Sequence, residues 1–69
     1  MLRSIKFTDD AFLPTRIAEV VKTAIGWATW CEAANKAGVW HIRAIQSHRT
    51  LGPAVAAAKR FIATGKVGR

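Results

Sequence analysis

Cys31 is the only cysteine in this chain of 69 residues, so no internal disulfide can hold the fold together. A chain of this length buries only about 60% of the surface that its unfolded form exposes, and it is marginally stable by itself. Small domains without disulfides usually rely on a metal or on a partner subunit. Hydrophobic residues make up 51% of the chain, which is too many for a disordered basic tail. We therefore expect one folded domain over residues 1–64, completed as a homodimer, and a flexible basic tail over residues 65–69.

The single thiol also favours a reducing, cytoplasmic location, because secreted domains of this size are usually rich in disulfides. Charged and apolar residues alternate from Met1 to Asp10, so this segment does not have the apolar region of a secretory signal. The most apolar stretch, Ile17–Ala34, is interrupted by three charged residues and has only about the minimum length that spans a bilayer. We expect no transmembrane segment.

The longest periodic segment predicts a helix from about Pro14 to Ala37. Proline suits the first turn of a helix, and Gly38 suits a left-handed residue just after its end. At 100° per residue most of the apolar residues gather on one face. These are Ile17, Val20, Val21, Ala24, Ala28 and Cys31. Gly26 would lie on the opposite, polar face, where it costs about 1 kcal/mol relative to alanine.

Alternation of side chains predicts two strands, Leu2–Phe7 and Val39–Gln46. In the second strand Trp40, Ile42 and Ala44 would share one face, and His41 and Arg43 would share the other.

A second helix is predicted from Leu51 to Thr64, with Thr50 as its N-cap and Gly65 as its end. The expected fold class is therefore α+β, a small strand–helix–strand–helix domain. Two strands are too few for an independent sheet, so a second copy is expected to pair an edge strand. The alternative is an all-α domain of three helices, in which Trp40–His48 forms the third helix.

The segment from Ala33 to Val39 resembles the first helix and turn of helix-turn-helix motifs. An alanine lies four residues before Gly38, and an apolar residue follows the glycine. The motif has apolar residues six and nine positions beyond the glycine, where this chain has Ala44 and Ser47. The resemblance implies a second helix whose polar side chains enter a DNA groove. Those side chains would be His41, Arg43, Gln46, Ser47 and Arg49.

All the excess positive charge lies in the second half of the chain. Residues 1–32 carry four basic and four acidic side chains, which cancel, whereas residues 33–69 carry seven basic and no acidic ones. The formal charge of +7 therefore belongs to residues 33–69. Such a field attracts a polyanion or an acidic protein surface.

Nucleic-acid binding is the first function that this charge predicts, because phosphate contacts come mainly from Arg, Lys and polar side chains. The side chains expected to bind nucleic acid, or an acidic partner, are His41, Arg43, Arg49, Lys59, Arg60 and Lys66. Trp30 and Trp40 are candidates for stacking on bases, which favours single strands. The chain is thus expected to be a small, basic, non-enzymatic regulatory module.

The alternative function is a protein-binding adaptor or inhibitor of the kind found among phage and plasmid regulators. Exposed tryptophans are typical anchors of interfaces. In the predicted helix Trp27 and Trp30 are neighbours at spacing i, i+3, so both indoles would enter one pocket of an acidic partner. The positive charge would steer the two proteins together.

Catalysis and metal binding find little support in the sequence. Cys31, His41 and His48 are separated by ten and seven residues, which is not the spacing of a zinc site. Asp9 and Asp10 are adjacent and would point apart in a strand or turn, whereas paired carboxylates must converge on one atom. Thr64–Lys66 lacks the upstream glycine of a phosphate loop. We expect no catalytic residue, no metal, no cofactor and no small-molecule substrate.

Overall fold

The structure, a computed structural model, describes residues 4–67, and these residues form a β-meander followed by one helix. The elements are β1 (Ser4–Thr8), β2 (Arg16–Thr23), β3 (Gly26–Ala34), β4 (Trp40–His48) and α1 (Leu51–Thr64). The strands form a single antiparallel sheet in the order β1-β2-β3-β4, so each strand pairs with its neighbour in sequence. The helix packs on one face of this sheet.

The expected strand–helix–strand–helix fold is wrong, and so is the all-α alternative. The segment predicted as a helix from Pro14 to Ala37 forms β2 and β3 instead, joined by a turn at Ala24 and Ile25. This segment is rich in β-branched and aromatic residues, which pack well on a pleated surface. Because β2 and β3 carry apolar side chains on both faces, their sequence resembles a buried helix as much as a strand.

The residues that resemble a helix-turn-helix motif form the end of β3 and the turn before β4. The side-chain oxygen Oδ1 of Asn35 accepts hydrogen bonds from the backbone nitrogens of Ala37 and Val39, at 2.9 and 3.0 Å. Gly38 adopts a φ of 81°, the left-handed conformation expected of it, but in a turn between strands. The following segment is β4, so no recognition helix is present at Trp40–His48.

The prediction of a strand after Gly38 and of a C-terminal helix is confirmed. The observed β4 ends at His48, two residues beyond the predicted end. Helix α1 has the predicted bounds, and Gly65 ends it with a φ of 72° and a hydrogen bond from its nitrogen to the Phe61 carbonyl. Thr50 has the extended conformation of an N-cap residue, but its side chain makes no capping hydrogen bond.

Both ends of the chain extend beyond the described residues. The predicted strand Leu2–Phe7 corresponds to β1 where the structure describes it, and Leu2 lies outside that part. The expected tail over residues 65–69 is described only as far as Val67.

The core lies between α1 and the two central strands. Its buried residues are Ala18, Val20, Cys31, Ala54, Ala58 and Phe61. Most of these side chains are small, which allows the helix to approach the sheet closely. The hydroxyl of Thr29 is also fully buried there and donates a hydrogen bond of 3.0 Å to the Ala54 carbonyl. The core is thus thin: it is a single layer of side chains between α1 and one face of the sheet.

A bulge changes the side-chain alternation within β4. Cys31 pairs with Ala44 but Glu32 pairs with Ile42, so Arg43 is an extra residue without a partner on β3. The expectation that Ala44 shares a face with Trp40 and Ile42 is therefore wrong. Because a bulge adds one residue to a strand, the residues that follow it change their facing.

Candidate nucleic-acid interface

The sheet has two faces of different character, and the strand register assigns each residue to one of them. Residues paired directly across antiparallel strands lie on the same side of the sheet. The helix face is the side that α1 covers; it includes Val20, Thr29 and Gln46, which occupy one row. The open face is the opposite side; it includes Glu19, Trp30 and Ile45 in the next row.

Most of the cations predicted to bind a polyanion lie on the helix side of the molecule. Lys59 and Arg60 are exposed on α1, and Arg49 and Lys66 are exposed just before and just after this helix. His41 pairs with Ala33 and so lies on the helix face of β4. We call Arg49, Lys59, Arg60 and Lys66 the helix-side cations.

Two of the predicted residues differ in their surroundings from the others. Arg43 is exposed at the bulge of the edge strand β4. The Nε2 atom of His41 lies 3.4 Å from the side-chain amide nitrogen of Asn35, so this imidazole is positioned by the β3–β4 turn. Gln46 and Ser47, which were predicted to face a DNA groove together, lie on opposite faces of the sheet because they are adjacent in a strand.

Two of the four carboxylates are engaged in the loop between β1 and β2. Asp9 accepts hydrogen bonds from the hydroxyl and backbone nitrogen of Thr15 and from the backbone nitrogen of Arg16. These donors, the Thr15 hydroxyl above all, hold the pKa of Asp9 well below its ordinary value. Asp10 accepts from the backbone nitrogens of Phe12 and Leu13, which lower its pKa in the same way. Both side chains therefore organise this loop.

The other two carboxylates, Glu19 and Glu32, lie on the open face. Glu19 pairs with Lys6 on β1, and Glu32 pairs with Ile42 on β4. One lysine and two glutamates give these open-face positions a net charge of −1. The sheet thus separates Glu19 and Glu32 from the helix-side cations, an arrangement that sequence alone does not show.

Arg16 has a structural role at the C-terminal end of the helix. Its guanidinium is half-buried and donates a hydrogen bond of 2.5 Å to the carbonyl of Ile62. The last carbonyls of a helix have no intrahelical partners and carry partial negative charge, so a cation stabilises them. This contact joins β2 to α1.

Trp27 and Trp30 lie on opposite faces of the sheet. Trp27 packs against the core on the helix face, with the Lys22 ammonium 5.4 Å from its ring centre. Trp30 is 40% exposed on the open face. The prediction that both indoles enter one pocket assumed a helix; in a strand, residues three apart point in opposite directions.

An apolar surface covers much of the open face, and most of it was missed as a candidate site. Trp40, Ile42 and Ile45 lie there beside Trp30 and are 38%, 55% and 53% exposed. Ile42 and Ile45 are three residues apart, so strict alternation places them on opposite faces of a strand. The bulge at Arg43 adds one residue between them, and both therefore lie on the open face.

The potential metal-ligating side chains within residues 4–67 do not gather at one point. No group of three or more metal-ligating side chains and no pocket is present in this range. Burial raises the pKa of the Cys31 thiol, which favours its unreactive protonated form. The Nε2 atom of His48 is buried on the helix face and has no hydrogen-bond partner among the described residues. No helix in the described range is long and apolar enough to cross a membrane.

Comparisons with protein-family models, with curated proteins and with solved structures found no match to this chain.

Proposed function

We propose that this protein is a small non-enzymatic module that binds nucleic acid through the helix-side cations. The observation that carries the proposal is the separation of charge between the two sides of the sheet. The helix-side cations are exposed, whereas Glu19 and Glu32 lie on the open face. A phosphate backbone that approaches α1 thus contacts Lys59 and Arg60. The two carboxylates lie on the other side of the sheet, where they repel the phosphates less.

Contacts to phosphate, rather than stacking on bases, are the expected mode of binding. Trp30 and Trp40 lie on the open face, away from the helix-side cations, and Trp27 is packed against the core. None of the three tryptophans is therefore available beside these cations to stack on bases, and the surface gains little from a single strand. We therefore infer sequence-tolerant binding, with duplexes bound at least as well as single strands.

The proposal includes a homodimer in the cytoplasm. The small core and the absence of any possible internal disulfide support self-association, and the single thiol of Cys31 supports a reducing compartment. Docking of an acidic protein on the same cations is the competing function, because a carboxylate surface satisfies them in the same way.

Titration of labelled duplex and single-stranded oligonucleotides at several salt concentrations tests the proposal. Each phosphate that a cation neutralises on a duplex contributes about −0.9 to the slope of log affinity against log salt. Four contacts, from Arg49, Lys59, Arg60 and Lys66, predict a slope of about −3.6. An absence of binding even at low salt contradicts the proposal and leaves an acidic protein as the partner.

Two double variants of equal net charge locate the surface. Lys59→Ala/Arg60→Ala removes two helix-side cations, and we expect the magnitude of the slope to fall by about 1.8. The control Lys6→Ala/Lys36→Ala removes one cation from the open face and one from the β3–β4 turn. It should leave most of the slope intact. Equal losses in both variants would mean that only the total charge matters, and the proposed surface would be wrong.

A further inference from the structure

The open face is an unpartnered apolar surface on a domain with a thin core. Trp30, Trp40, Ile42 and Ile45 contribute large side chains that are between 38% and 55% exposed. On β2 the neighbouring open-face residues Ile17 and Val21 are only half-buried. An exposed apolar surface that continues across several strands is typical of an interface.

We propose that the open face binds the open face of a second copy of this chain, forming a two-fold dimer that resembles a β-sandwich. Two sheets that pack in this way lie about 10 Å apart, and the side chains of their inner faces interdigitate. An interface of this kind uses the same patch on both subunits. It supplies the second half of a core that the single chain leaves incomplete.

The charge distribution favours this occupant. The helix-side cations lie on the far side of each sheet, so in a face-to-face dimer they point outward and away from one another. The open face itself carries Lys6, Glu19 and Glu32, a net charge of −1, so two open faces repel each other little. Self-association through the helix side would bring four cations of each copy together, which is far less favourable.

The open face is large enough for an interface only if most of it takes part. The strands have 5, 8, 9 and 9 residues. At about 3.3 Å per residue and about 4.8 Å between strands, the sheet covers about 490 Å² in projection. A standard interface buries ~800 Å² of accessible surface on each partner. Because protruding side chains make the accessible surface of a sheet larger than its projection, we infer contact across the whole open face.

The edges of the sheet are poorly suited to the alternative of pairing strand to strand. The edge strand β4 contains the bulge at Arg43, and bulges and charged side chains both prevent strand addition. The other edge, β1, has only five residues, with Lys6 at its centre. Extension of the sheet by a second copy, as the sequence suggested, is thus less favourable than contact between the open faces.

The test is sedimentation equilibrium of the whole chain, without nucleic acid, over a wide range of protein concentrations. Ile45→Glu places a carboxylate beside Trp30 within the proposed interface in both subunits. We expect it to raise the dimer dissociation constant about a hundredfold or more, because a buried interface anchor is lost twice. The matched control is Ile25→Glu, the same substitution at an isoleucine that is 81% exposed in the β2–β3 turn. It should remain dimeric.

Thermal unfolding at several protein concentrations keeps the proposal testable if Ile45→Glu does not fold. The melting temperature of a dimer rises with its concentration, whereas that of a monomer does not. We expect this rise for the unmodified chain and for Ile25→Glu.

Three results overturn the proposal. The first is an unmodified chain that stays monomeric up to its solubility limit. The second is a dimer that Ile45→Glu does not weaken, since another surface must then form it. The third is a monomer whose tryptophan emission is quenched by single-stranded oligonucleotides more strongly in the unmodified chain than in Trp30→Phe, which assigns the open face to bases. The inference rests on the homodimer of the proposed function; because sedimentation is measured without nucleic acid, failure of the dimer is distinguishable from failure of nucleic-acid binding.

Discussion

Gly26 lies close against the backbone carbonyl of His48. Gly26 is buried at the start of β3 and adopts a φ of 154°, a conformation that residues with a side chain rarely adopt. A β-carbon at this position would overlap the His48 oxygen and lie 3.0 Å from the α-carbon of Arg49. The turn between β2 and β3 can approach the end of β4 only because this residue has no side chain.

Gly26→Ala is therefore expected to lower the free energy of unfolding by about 3 kcal/mol, from backbone strain and overlap together. Urea unfolding followed by tryptophan fluorescence measures the loss. Gly52→Ala is the matched control, because Gly52 lies in the first turn of α1 with open space around it. It should change the free energy of unfolding by less than about 1 kcal/mol, because the better helix propensity of alanine is offset by the contact of its β-carbon with Pro53. Equal stability of the two variants would contradict the close approach.

The buried hydrogen bond from Thr29 to α1 gives a second prediction. Thr29→Val keeps the shape of the side chain but removes the donor to the Ala54 carbonyl. We expect a loss of about 1–2 kcal/mol in the free energy of unfolding. Thr23→Val, at the partly exposed end of β2, should change it by less than about 0.5 kcal/mol. A Thr29 variant as stable as the unmodified protein would show that this bond does not hold the helix on the sheet.

The lowered pKa of Asp9 predicts a specific loss of stability in acid. Its carboxylate is stabilised in the folded state by Thr15 and Arg16, so the folded pKa lies below the ordinary value of 3.8. The stabilisation is present above that ordinary value and is lost as the pH falls through the folded pKa. The free energy of unfolding should therefore decrease as the pH is lowered below about 4.

Asp9→Asn should be less stable than the unmodified protein at neutral pH and should show a weaker dependence on pH below about 4. Urea unfolding across the acid range measures both effects. Thr15→Ala removes the strongest single donor to Asp9 and should produce an intermediate dependence. Part of the dependence will persist in both variants, since the pKa of Asp10 is lowered as well. An unchanged pH profile in Asp9→Asn would exclude the proposed cause.

The candidate site was predicted from sequence in its composition but not in its arrangement. The excess of cations after Glu32 is visible in the sequence, because no acidic residue follows it. The positions of Lys59 and Arg60 on α1 were also predicted, because the helix has its predicted bounds. The location of Glu19 and Glu32 on the other side of the sheet depends on strand pairing. Strand pairing joins residues far apart in sequence, and so local periodicity does not reveal it.

The same reason explains the error at Pro14–Ala37. Val20 and Val21 fall on one side of a helical wheel, but in β2 they face opposite sides of the sheet, one in the core and one on the open face. A segment with apolar residues on both sides matches the periodicity of a helix as well as that of a strand. Gly26, unfavourable within a helix, is instead required where β3 meets the end of β4.

The sequence by itself determined the C-terminal helix, its glycine stop, the strand before it and the uneven distribution of charge, because each depends on neighbouring residues or on composition. Only the tertiary structure decided that the first half forms strands, that Trp27 and Trp30 are separated, and that an apolar open face lies opposite the cations. These features depend on which strands pair and which side the helix covers, and both are fixed by contacts between residues distant along the chain.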